Sequence, residues 1–145
     1  MSGVYARNRN NTPFDPVDFA AALQDAITAY VMNEKRVPKR WRPTLGADLL
    51  RKTDELVDNV IAANETWAKD EKMLAVRMEY WRRAATNCKQ IDRKLRRLQV
   101  AIPSATPDSM EEILKLLTDD EDAVLERKRH DKVVQTPGGA SKRKK

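Results

Sequence analysis

The chain has one cysteine, one histidine and four glycines in 145 residues, and each scarcity removes a class of function. Cys88 stands alone, so no internal disulfide forms. It falls on the apolar face of its helix, where it reads as a small buried hydrophobe. Carboxylate metal sites in helical bundles use Glu-x-x-His, but Arg127 stands three residues before His130. So few glycines argue against an all-β chain with many tight turns. Neither G-x-x-x-x-G-K nor G-x-G-x-x-G is present, and nothing matches a nucleophile elbow. No stretch approaches 18 apolar residues, so no membrane span is expected. The first residues, Met-Ser-Gly-Val-Tyr-Ala-Arg, lack a hydrophobic run, so no signal peptide is expected. The expectation is a cytoplasmic, non-enzymatic protein with no catalytic residue, no metal and no cofactor.

Charge is plentiful, at 34% of residues, with a formal net of +6. It is segregated into blocks. Residues 35–42 hold five basic groups and no acidic ones, and residues 69–100 hold ten basic against four acidic. Residues 108–125 hold seven acidic groups and one basic, and the chain ends in a basic stretch. Such segregation points to an anionic partner or to charge-matched assembly.

The length suits one domain with a core of its own. Residues 1–14, polar and rich in Asn and Arg, read as a disordered arm. Residues 15–130 read as four helices. Asp15 and Pro16 open the first, with Ala20, Leu23, Ile27, Tyr30 and Val31 on one face, and it ends near Asn33. Pro38 and Pro43 make 35–43 a loop. Thr44 is expected to cap a second helix running to about Thr66, and the third spans about 70–100. A capping box, Asp108 with Glu111 or Ser109 with Glu112, opens the fourth. The acidic run 119–122 interrupts that helix, which is expected to end or bend there or to carry it as a solvated face. Residues 131–145 read as a flexible basic tail. Short connections then give an all-α, up-down-up-down four-helix bundle.

Three surfaces stand out. On the third helix Leu74, Met78, Trp81, Ala85, Cys88, Leu95 and Leu98 share one side, with one longer step. Arg82, Lys89, Arg93, Arg96 and Arg97 fall within about 100° on the opposite side. A line of cations suits a phosphate backbone, against the plainer reading of a basic solvated surface. In the 35–42 loop, Lys35, Arg36, Lys39, Arg40 and Arg42 precede a helix N-terminus, where backbone N–H groups favour an anion. Trp41 either stacks on a base or anchors the loop. On the second helix Leu45, Leu49, Leu56, Val60, Ala63 and Trp67 form one ridge, and Leu50, Val57 and Ile61 a second. The second ridge is either an oligomer interface or the mark of a helix wedged between two others of its own chain.

At this loop the residues Val37-Pro38-Lys39-Arg40-Trp41-Arg42-Pro43-Thr44-Leu45-Gly46 resemble the basic, Leu-Gly-opened helix entry of a four-helix-bundle family. That family is the one of the 23S rRNA intervening-sequence protein. Met78-Glu79-Tyr80-Trp81-Arg82-Arg83, the Ala105-Thr106-Pro107 entry and a Lys/Arg tail look like its branch of accessory variability proteins (Avd) of diversity-generating retroelements. The resemblance covers roughly residues 16–130. It implies a homopentameric barrel that binds a reverse transcriptase and nucleic acid, RNA or DNA, and supports template-RNA-primed cDNA synthesis and mutagenic retrohoming. Lys39, Arg40, Arg42, Arg82 and Arg83 match its motifs, and the resemblance assigns them to nucleic-acid or polymerase contact. Lys89, Arg93, Arg96 and Arg97 join them on the helical reading alone. The chain departs from the family in its last helix, where the acidic run and Arg127-Lys128-Arg129 replace an apolar, Gly-rich, Trp-containing end. Two other readings stand beside this one: an rRNA-associated bundle, and a structural adaptor whose acidic and basic blocks pair between subunits.

Overall fold

The computed structural model describes residues 15–133, and all four of its long elements are helices. The expected arm over 1–14 and the end of the tail lie outside the described residues. The helices are α1 (Pro16–Val31), α2 (Ala47–Glu65), α3 (Glu71–Ala101) and α4 (Glu111–His130). No strand occurs among the described residues.

Local chemistry sets most of the boundaries. The Asp15 carboxylate accepts from the Val17 N–H at 2.9 Å with Pro16 in the first turn, the expected opening of α1. Asp70 caps α3 in the same way, accepting from the Met73 N–H at 2.8 Å. Thr44 does not cap α2. Pro38 is followed by one tight 3-10 turn, Lys39–Trp41, and then a wider π-type turn, Arg42–Gly46, leads directly into α2. Thr44 sits inside that wide turn and its hydroxyl donates back to the Trp41 carbonyl. Neither capping box forms at α4. A 3-10 turn, Asp108–Met110, precedes it, with the Ser109 hydroxyl donating to the Thr106 carbonyl at 2.7 Å.

Cross-helix pairs give the topology. Gln24 donates to Asp54, Asn87 to Glu55, Lys89 bridges to Glu121, and the Tyr30 hydroxyl meets that of Ser109. Each helix is antiparallel to its neighbour in the chain, and α4 closes on α1. The result is an up-down-up-down bundle. Leu23 and Ile27 of α1, Leu49, Leu56 and Val60 of α2, Trp81, Ile91, Leu95 and Leu98 of α3, and Leu117 and Val124 of α4 fill its centre. Full burial of such a side chain stabilises by about 1.5–3 kcal/mol. Ile91 fills the longer step in the apolar pattern of α3. At Gly46 an added Cβ would lie 2.9 Å from Val31 Cγ1, so only glycine lets α2 start this close to the end of α1.

Three polar side chains are buried: Thr53, whose hydroxyl donates to the Leu50 carbonyl at 2.7 Å, Asn87 and Asp120. The Asn87 amide, between α2 and α3, accepts from Asn59 at 2.7 Å and donates to Glu55 and Gln90. The acidic run neither ends nor visibly interrupts α4, which is continuous through 119–122. Nor is the run wholly a solvated face. Asp120 is fully buried and neither of its carboxylate oxygens has a hydrogen-bond partner. Burial pushes its pKa up to about 8, with the neighbouring Glu121 charge adding to the shift. Cys88 is buried nearby in α3, and burial raises its thiol well above the usual range.

Candidate nucleic-acid interface

Helix α3 turns Trp81, Ala84, Cys88, Ile91, Leu95 and Leu98 inward. The same 3.6-residue period leaves Arg82, Arg83, Lys89, Arg93, Arg96 and Arg97 exposed. Their acidic neighbours are few. Arg82 and Arg83 share Glu79, whose carboxylate is held down to about 2 chiefly by the Arg82 hydrogen bonds. Arg96 pairs with Asp92 at 3.0 Å and Lys89 with Glu121 at 2.8 Å. Arg93 and Arg97 have no ion-pair partner among the described residues. Exposed pairs of this kind contribute about 0–1 kcal/mol each, so an incoming phosphate replaces them at little cost. The acidic stretch of α4 reaches this face only at Glu121, and the other five cations stay uncovered.

The 35–42 loop lies at the same end of the bundle as the last turns of α3. Arg36 donates to the Ser104 carbonyl at 3.3 Å, and the Ser104 hydroxyl donates back to the Arg36 carbonyl at 2.8 Å. Lys94 of α3 bridges to Asp48 in the first turn of α2 and lowers its pKa. Two cation clusters about fifty residues apart in the chain are thereby drawn toward one another. Lys94 was not among the expected contact residues, and Arg36, expected only as one cation of the loop, is engaged with Ser104. Their pairing across helices has no local sequence signal.

Within the loop the roles divide. Lys35, Lys39 and Arg40 are exposed. Arg42 is committed inward: its guanidinium donates to the Val31 and Met32 carbonyls and meets Glu34 at 3.3 Å. It closes the C-terminal end of α1 and turns away from an external anion. Trp41 is half-buried against the core with Arg40 stacked 5.5 Å from its ring, the loop-anchor arrangement.

The second ridge of α2 is split. Leu50 and Val57 are half-buried and pack on the chain's own core, between α1 and α3, while Ile61 is 42% exposed. At the far end of the bundle Asp131, assigned to the tail by sequence, is tied down. It accepts from Arg77 Nε at 2.7 Å and from the Trp81 indole N–H at 2.5 Å. Trp67 is 54% exposed at that end and does not continue its ridge into the core. His130 pairs with Glu126 at 2.8 Å, and no group of three or more metal-ligating side chains occurs among the described residues. No described helix is long and apolar enough to cross a membrane. Comparison of the chain with family models, with curated proteins and with solved structures finds no match.

Proposed function

We propose that this protein is a non-enzymatic, nucleic-acid-binding bundle that assists a reverse transcriptase in cDNA synthesis and mutagenic retrohoming. One observation carries the nucleic-acid part. Arg82, Arg83, Lys89, Arg93, Arg96 and Arg97 are all exposed along one side of α3, and the basic loop sits at the end of that stripe. Phosphate contacts of this kind position a protein without reading bases, so binding is insensitive to sequence. The polymerase partner and the homopentameric assembly rest on the motif resemblance at 37–46 and 78–83.

The test is titration of the purified protein with labelled RNA and DNA over a salt series. The triple variant Arg82→Glu, Arg93→Glu, Arg96→Glu is run alongside. Binding should weaken steeply with salt, and the variant should bind less tightly with a shallower slope while keeping its helical content. No binding at low salt, or an unchanged variant, refutes the role of this face. Co-purification with a reverse transcriptase encoded beside the gene tests the partner.

A further inference from the structure

The chemistry of the basic face also bears on which form of nucleic acid it takes, an inference resting on the nucleic-acid reading above. We infer that the ligand of α3 is a double helix, held along its phosphate backbone, and not an extended single strand. Proteins that hold single strands combine cations with exposed aromatic rings on which bases stack. Among the described residues the α3 face has no such platform. Tyr80 is half-buried with the Arg83 guanidinium 5.6 Å from its ring, and Trp81 is fully buried. At the loop, Trp41 is packed on the core and covered by Arg40. The exposed Trp67 lies at the opposite end of the bundle from Arg93, Arg96 and Arg97.

The rest of the argument is shape. Helix α3 is one unbroken element of 31 residues. Arg82 to Arg97 is fifteen residues, about 22 Å of axis at 1.5 Å per residue. Over that length the two strands of a duplex together carry about thirteen phosphates, at about 1.7 Å of axis each, and about half of them lie on the side facing the stripe. The stripe Arg82, Lys89, Arg93, Arg96 and Arg97 supplies five cations on a fixed line. A duplex is already stiff over such a distance, so docking it on a rigid stripe orders little. A single strand would have to be straightened, with no stacking to offset the lost freedom.

The experiment compares one 20-residue sequence as single-stranded RNA, single-stranded DNA, DNA duplex and RNA–DNA hybrid, by fluorescence anisotropy at matched salt. The full chain is used, with Trp67→Ala and Trp41→Ala as companions. The duplexes should bind at least about tenfold tighter than either strand. The DNA duplex should show a slope of log K against log salt near about −4.5, for five phosphates at about −0.9 each. Trp67→Ala should leave duplex affinity within about twofold. Single strands binding as tightly as duplexes, or a loss of more than about fivefold in Trp67→Ala, overturns the inference and leaves the nucleic-acid reading standing. Absence of binding to all four ligands overturns both.

Discussion

Replacing Asp120 by asparagine should make this protein more stable, by an amount that grows with pH. The carboxyl group is fully buried in α4 with both oxygens unpartnered, and its pKa is pushed up from 3.8 to about 8. In the unfolded chain it ionises near its ordinary value. Its contribution to stability is therefore intact below about pH 4 and is lost progressively as pH rises through about 8. Each pH unit in that window costs about 1 kcal/mol, which comes to several kcal/mol by pH 7. That is a large share of the roughly 5–15 kcal/mol that holds a domain together. Asparagine has the same shape and stays neutral, and its unmet hydrogen bonds cost about what those of the neutral acid cost. Urea unfolding followed by tryptophan fluorescence, at pH 5 to 9, reads the difference. The gap between variant and parent should open by about 1 kcal/mol per unit from pH 5 to 7 and level off above pH 8. Parallel pH profiles, or a variant less stable at pH 7, would refute the reasoning.

Gly46→Ala should destabilise by about 1–2 kcal/mol, because its methyl meets the stiff, buried Val31 side chain; thermal unfolding reads this. Asp131→Ala should cost about 1–3 kcal/mol, by leaving the buried Trp81 N–H and Arg77 without their acceptor. Its signature is a red-shifted tryptophan emission or a lowered Tm. Ile61→Asp should dissociate an assembly built on α2 while leaving the helical content of the chain unchanged, as measured by light scattering after size exclusion and by circular dichroism. Leu50→Asp should lower Tm in any case, since Leu50 also packs on the chain's own core.

Periodicity made the architecture readable, and the reason is visible in α3. Its inward and outward residues differ so sharply in polarity that the helix, its buried face and its cation stripe all follow from spacing. Asp15 and the end of α1 were legible for a similar local reason. The misreadings arise where distant contacts decide. Thr44 has the chemistry of a cap, but the Pro43-containing wide turn carries the chain past it into α2. Asp120 has the composition of a solvated run. Yet at a core position of α4, between Leu117 and Val124, continuing the helix buries it. Arg42 looks like its basic neighbours, and only the nearby end of α1 turns it inward. In the candidate site, the exposure of the stripe was legible. Its meeting with the loop was not, because the Arg36–Ser104 exchange spans 68 residues.

The amide layer at Asn87 bears on uniqueness. Leucine-rich helices slide past one another at small cost, and a bundle held by them alone has several near-equivalent alignments. Asn87 of α3 meets Asn59 and Glu55 of α2 together in one alignment of the two helices. A shift of one turn would leave the buried Asn87 amide without these partners, a penalty of about 1–3 kcal/mol. The layer adds little to how strongly the bundle holds. It favours one axial alignment of α3 against α2, and so sets the height along the bundle at which the α3 cations stand.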